Sequence, residues 1–233
     1  MLIVIEGIDG SGKSTQASKL ATSLTSLGLS VGTLRFPRYD VTRGGELVGD
    51  FLDGKFGKIL SDLHPKLVSL PYMIDRYESK SWLEANMMVH DVVVIDRFVA
   101  SNAAHQVAKL PKDDWDEFIV WVATMEFCVF KLPTPNLTIE FKLPVEQAAK
   151  LIAKKKKRSY TDAEFDLHEA DMDYQRQVAQ GYREADFSGE FSEEWCVFDV
   201  DRNGHLRDEN ELAAAVFAKV KETLSRKGVK LDG

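Results

Sequence analysis

An α/β fold is predicted, with a parallel sheet of about five strands flanked by helices on both faces. Three observations carry this. Short β-branched runs alternate with longer segments of helical spacing. A glycine-rich loop joins the first run directly to the first helical segment. The chemically suggestive residues follow the runs, where strand carboxyl ends would lie. Strands alternating with helices imply right-handed crossovers, and such sheets bind ligands at the carboxyl ends of their strands.

Residues 2–6 form an apolar run and 13–27 carry helical spacing, stopped by Gly28. Residues 30–35 predict the second strand. Residues 92–96 (Val-Val-Val-Ile-Asp) predict a central strand, apolar on both faces, and 137–141 and 195–200 supply two more. Helical patterns cover 44–52, 65–87, 113–129, 145–156, 169–185 and 209–226, and Asn102 and His105 open another helix after the third strand. Neither an internal repeat nor a low-complexity linker interrupts the chain, so residues 1–233 read as one domain.

A composition 44% hydrophobic and 29% charged belongs to ordinary globular proteins and excludes collagen, disorder and coiled coils. The net charge of -7 argues against non-specific nucleic-acid binding, which needs a basic face. Local cations and backbone amides can still hold phosphates. Cys128 and Cys196 sit beside apolar neighbours, outside any C-x-x-C or Cys/His ligand spacing, and read as buried free thiols suited to a reducing compartment. The first apolar run is too short for a secretory leader and no stretch reaches membrane-span length, so a cytoplasmic enzyme is expected.

The strongest signal is Gly7-Ile8-Asp9-Gly10-Ser11-Gly12-Lys13-Ser14, which matches G-x-x-x-x-G-K-[ST] at every fixed position. Glycines let successive N–H groups converge on phosphate oxygens, and the helix N-terminus adds positive potential. In this P-loop Lys13 would reach the β- and γ-phosphates of ATP and Ser14 would ligate Mg²⁺. The chain has no N-K-x-D guanine motif, and Arg97 stands beside Asp96 where an ATPase would carry a hydrolytic Glu. A cation there suits a second, phosphate-bearing substrate.

From this point the sequence resembles the thymidylate kinases, over most of the chain to about residue 185. The resemblance is carried by Ile5-Glu6-Gly7-Ile8-Asp9-Gly10, by Phe36-Pro37-Arg38-Tyr39 after the second strand, and by Asp96-Arg97-Phe98-Val99-Ala100-Ser101-Asn102 after the third; a basic segment follows the fourth. It implies transfer of the γ-phosphoryl of ATP to dTMP, with Gly7, Asp9, Gly10, Ser11, Gly12, Lys13, Ser14 and Thr15 on ATP. It also implies a homodimer. Arg97 would grip the acceptor's 5′-phosphate, a structural ion pair being the alternative, with Arg38 beside it and Asp96 behind the Mg²⁺ ligand Ser14. Tyr72 and Arg76 share a helix face one turn apart, where the ring would stack on thymine and the guanidinium bond its O4. On the residues alone, such a pair is more often a half-buried ring with a solvated cation. Asn102 would meet the pyrimidine edge. His105 stands where the family commonly has a Tyr that crowds the sugar's 2′ carbon. Asp9 would lie near the acceptor's 3′-hydroxyl, positioned by Tyr39, and Phe36 would line the same site.

The run Lys154-Lys155-Lys156-Lys157-Arg158 ends a helical pattern and reads alone as a solvated helix end. Some family members carry an Arg within the P-loop; here Gly10 fills that position, so a lid spanning about residues 154–166 is expected to deliver the cation. Arg158 is the first choice, with Lys154 or Lys157 as alternates. Asp166 is expected to fold over the acceptor, and Glu169 is a further candidate or a plain helix-terminal carboxylate. Two rival readings stand. Another nucleoside or nucleoside-monophosphate kinase would need a base such as Asp40 or Glu46 if its acceptor were a hydroxyl, and a non-catalytic nucleotide-binding module would keep only the P-loop.

Overall fold

The computed structural model describes residues 1–56, 63–156 and 172–229. Strands β1 (Leu2–Glu6), β2 (Val31–Arg35), β3 (Val92–Asp96), β4 (Leu137–Lys142) and β5 (Trp195–Asp199) form one parallel sheet in the order β2-β3-β1-β4-β5. Residues 2–5 and 92–95 are each at most 1% exposed, as continuous apolar runs must be when helices cover both faces.

The register sets up the site. Ile5 pairs with Asp96, and Arg35 also pairs with Asp96, so the ends of β1, β2 and β3 lie level. The loops that leave them, at Gly7, Phe36 and Arg97, therefore emerge side by side. The chain leaves β1 for one edge of the sheet and later returns to its other side at β4, which makes the end of β1 the topological switch point.

Helix α1 (Lys13–Ser26) packs on α9 (Glu209–Arg226), while α5 (Val99–Val107) packs on α3 (Pro65–Glu78), α6 (Trp115–Ala123) and α8 (Met172–Ser188). Eight of the nine residues of α5 are buried, because this short helix has neighbours on nearly every side. Helix α2 (Arg43–Leu52) starts at Thr42, whose hydroxyl accepts the Gly45 N–H at 2.9 Å, and lies against α3.

The strands fall within a residue of the expected spans, but two predicted helices are divided. The 65–87 pattern becomes α3 and α4 (Lys80–Val89), separated at Ser79, whose hydroxyl donates to the Asp75 carbonyl at 2.8 Å. That side chain competes with regular helical bonding. The 113–129 pattern becomes a 3₁₀ turn at Lys112–Asp114, α6, and a π-helical segment Thr124–Val129. Helix α7 (Val145–Lys156) matches its pattern, and α8 is described from Met172, with residues 169–171 outside the described set. An unexpected hairpin pairs β6 (Asp201–Arg202) with β7 (His205–Leu206) around Asn203-Gly204, both at positive φ (55° and 82°), the turn that Asn-Gly favours.

The cysteines depart from expectation. Both are free, but Cys128 is exposed and Cys196 only half-buried. Within the π-helical segment it is Glu126 that is fully buried, and Cys196 lies on the edge strand β5, which is incompletely covered.

Candidate active site

The glycine loop runs from β1 into α1. A Cβ on Gly7 would lie 2.5 Å from the Phe141 carbonyl oxygen, and one on Gly10 (φ 79°) would lie 2.8 Å from that of Ala148 in α7. Neither space admits a side chain unless the backbone shifts. Within the loop, Lys13 is buried and its Nζ donates to the Ile8 carbonyl at 2.6 Å. Burial, with Arg97 nearby, pushes the Lys13 ammonium down to about 7, against the pull of Asp9, Asp96 and Glu6. The α1 N-terminus carries no acidic residue in its first turn, so its free amides remain an anion site.

Ser14 Oγ donates to Asp96 Oδ2 at 2.5 Å, and Asp96 Oδ1 is buried with no partner among the described residues. A hydroxyl, a carboxylate and an unused buried oxygen beside a phosphate loop are hard oxygen donors suited to Mg²⁺ and its waters. Among the described residues no group of three or more His, Cys, Asp or Glu could hold a metal by itself, so the phosphates of a nucleotide would complete such a site.

Arg97 follows Asp96 in the left-handed region, at φ 66°, with its N–H bonded to the Ile5 carbonyl at 3.0 Å. A bulky residue there is strained, as at many functional sites. The turn is held by Glu6, fully buried, which accepts the Phe98 N–H (2.9 Å) and the Ser101 N–H (3.2 Å) and hydroxyl (2.5 Å). Burial raises the Glu6 carboxyl. The Arg97 guanidinium pairs with Asp9, donates to Ser101 Oγ at 3.2 Å and lies 3.4 Å from His105 Nε2. Burial by itself would raise the Asp9 carboxyl, but Arg97, then Lys13 and His105, hold it well below the usual range.

These groups border a cavity of about 280 Å³. Of the expected acceptor residues, Asp9, Phe36, Tyr39, Tyr72, Arg76, Arg97, Asn102 and His105 all line it. Arg38 does not. Its guanidinium donates to Ser79 Oγ at 3.0 Å and stacks over Trp82, 5.4 Å from the ring centroid, because the break between α3 and α4 offers it both partners. Arg35 lines the cavity instead, 67% exposed, with Nε 3.8 Å from Asp96 Oδ2. Sequence reading also missed Ser101, Gln106 and Leu52 there; the strand-end position of Arg35 was the available signal. Arg158, Asp166 and Glu169, with the side chains of Lys154 and Lys157, lie outside the described residues. A larger cavity of about 920 Å³, against β4, α8 and β5, contains none of the expected site residues.

Of Tyr72 and Arg76, the ring is half-buried, but the arginine is far more buried than a solvated cation would be. Arg76 is only 3% exposed and pairs with Glu126, fully buried, donating from Nε to Oε1 at 2.9 Å and also from Nη2. Asn102 donates to the Ser69 carbonyl at 3.3 Å, and its Oδ1 is buried with no partner among the described residues. His105 is held by Tyr174, whose hydroxyl donates to the His105 carbonyl at 2.8 Å.

The geometry thus sets a phosphate loop beside a cation-bordered pocket, an arrangement for passing a phosphoryl group between two nucleotides. A family model described as Thymidylate kinase matches residues 5–207. The thymidylate kinase of Mycobacterium tuberculosis is 31% identical over 201 residues, covering 86% of this chain and 92% of that protein. The human thymidylate kinase is 31% identical over 152 residues, 64% of each. Among solved structures, the thymidylate kinase of Candida albicans superposes with a TM-score of 0.65 at 23% identity, covering 98% of this chain and 92% of that one, and so shares its fold. With its P-loop, its parallel sheet and this match, the chain belongs to the thymidylate kinase family and is an ATP-dependent nucleoside monophosphate kinase.

Proposed function

We propose that the chain, as one kinase domain over residues 1–233, transfers the γ-phosphoryl group of ATP to dTMP, giving ADP and dTDP. The observation that carries this reading is the position of Arg97, between the P-loop Asp9 and the cavity lined by Tyr72, Arg76 and Asn102. ATP phosphates lie on the amides of residues 7–15 with Lys13 against the transferring group. The 5′-phosphate of dTMP lies on Arg97 and Arg35, its thymine stacked on Tyr72 beside Phe36, with O4 accepting from Arg76 and N3–H donating to Asn102 Oδ1. Tyr39 and His105 flank the sugar.

That phosphate is anionic at neutral pH, so no general base is needed. One of its oxygens bonds the γ-phosphorus as the bond to the β–γ bridging oxygen breaks, and the electron pair leaves with ADP. Lys13 and Arg97 neutralise the charge, and Asp9 orients Arg97. Ser14, with Asp96 in support, would hold Mg²⁺, which would supply further charge neutralisation. Gly10 has no room for a side chain, so the last cation is drawn from the basic run, Arg158 first and Lys154 or Lys157 next, with Asp166 closing over the acceptor.

A homodimer is supported by exposed apolar side chains near the end of α3 and the π-helical segment, where Tyr77 and Val129 are exposed and Tyr77 contacts Phe130 at 5.1 Å between centroids. A cytoplasmic setting is supported by the exposed free thiol of Cys128, and among the described residues no helix is long and apolar enough to cross a membrane. The acceptor is tested by ADP formation from ATP·Mg²⁺ with dTMP, thymidine, dUMP, UMP, CMP, AMP and GMP offered separately. Preference for dTMP is expected. Turnover of thymidine in its place would indicate a nucleoside kinase, and no turnover with any acceptor would indicate a nucleotide-binding module.

A further inference from the structure

We propose that Glu126 is the positioning residue for base recognition: it fixes the Arg76 guanidinium so that one edge of its fork faces the acceptor cavity as a pure donor. This rests on the reading that the cavity holds dTMP. Glu126 comes from the π-helical segment Thr124–Val129, fifty residues beyond Arg76 in the chain. Its side chain is fully buried on the face that Ile119 and Val122 of α6 also bury, and π-helical segments recur at functional sites.

The geometry is asymmetric. Glu126 Oε1 takes both Nε and Nη2 of Arg76, while Glu126 Oε2 is buried without a partner among the described residues. A purely structural ion pair would be expected to satisfy both oxygens. Here the carboxylate takes the Nε and Nη2 side of the guanidinium, and Arg76 still lines the cavity. Burial raises the Glu126 carboxyl, while the Arg76 guanidinium beside it favours the charged form.

The consequence is specificity. A flexible arginine would have to be ordered on binding, and it could swing aside for a base that presents a donor. Held by Glu126, Arg76 is preorganised to donate. Thymine presents an acceptor at its 4 position and cytosine an amino donor, so the fixed fork favours one and opposes the other.

The test is steady-state kinetics of Glu126→Gln with dTMP, dCMP and ATP varied in turn, beside the unaltered protein. The expected result is a KM for dTMP raised about tenfold, kcat and the KM for ATP within about twofold, and a fall in the dTMP-to-dCMP ratio of kcat/KM. On an Arg76→Ala background the same substitution should add little, because Glu126 acts through Arg76. Should Glu126→Gln not fold, Glu126→Asp keeps the charge and retracts it by one methylene, and it too should raise the KM for dTMP selectively. An unchanged KM and selectivity in a folded variant, or equal losses for ATP and dTMP, would overturn the proposal. Failure of the unaltered protein to phosphorylate dTMP would instead overturn the reading beneath it.

Discussion

Ser14 and Asp96 are 82 residues apart in the chain and are joined by a hydrogen bond of 2.5 Å, Ser14 Oγ donating to Asp96 Oδ2. The bond ties the start of α1 to the end of β3, and thereby the phosphate loop to the Arg97 turn. Asp96→Asn should keep the fold, since the amide is isosteric. It should raise the Mg²⁺ concentration for half-maximal rate and lower activity by about 10- to 100-fold. An Mg²⁺ titration at fixed ATP checks this, and an unchanged midpoint would remove Asp96 from the metal site.

Lys13 predicts a pH effect. Burial, with Arg97 beside it, holds its ammonium at about 7 in the free protein. Triphosphate favours the charged form and raises that value on binding. Below pH 7 the lysine is already protonated and ATP affinity should be flat. Above it, binding must take up a proton, so affinity should weaken as pH rises, by up to about tenfold per unit. Calorimetry at pH 8 in buffers of different ionisation enthalpy should show net proton uptake. Lys13→Ala should abolish the uptake and lower turnover by about 100-fold or more while the protein stays folded.

Gly10 predicts a packing effect. Its φ of 79° and the Ala148 carbonyl 2.8 Å from any added Cβ make Gly10→Ala unfavourable. A loss of about 1–3 kcal/mol is expected, lowering the melting temperature by about 2–4 °C for each kcal/mol. Gly10→Arg should cost at least as much. An unaltered melting temperature in both would mean that α7 does not pack on the loop.

The two arginines flanking Phe36-Pro37 should separate kinetically. Arg35→Ala should raise the KM for dTMP, because Arg35 borders the cavity beside Asp96. Arg38→Ala should affect stability more than KM, because Arg38 is spent on Ser79 and Trp82. The reverse order would mean that Arg38 turns to the phosphate once substrate binds.

The fold and the phosphate loop were legible in the sequence because their signals are local. The 92–96 run is apolar on both faces, and glycines, lysine and serine stand at fixed spacing between a strand and a helix. The choice between Arg35 and Arg38 was not, since it depends on a helix break at Ser79 some forty residues downstream, which propensity does not mark. Nor was the burial of Arg76: its partner Glu126 lies on a π-helical segment within what reads as one continuous helix. The Asn203-Gly204 hairpin carried a readable turn signal that the strand pattern overshadowed.

Placement of the acceptor's base against Arg76, as proposed, is tested by steady-state kinetics of Arg76→Ala with dTMP and ATP varied separately. The KM for dTMP should rise by about ten- to a hundredfold, with the KM for ATP nearly unchanged. Equal effects on both substrates, or no effect on dTMP, would contradict it.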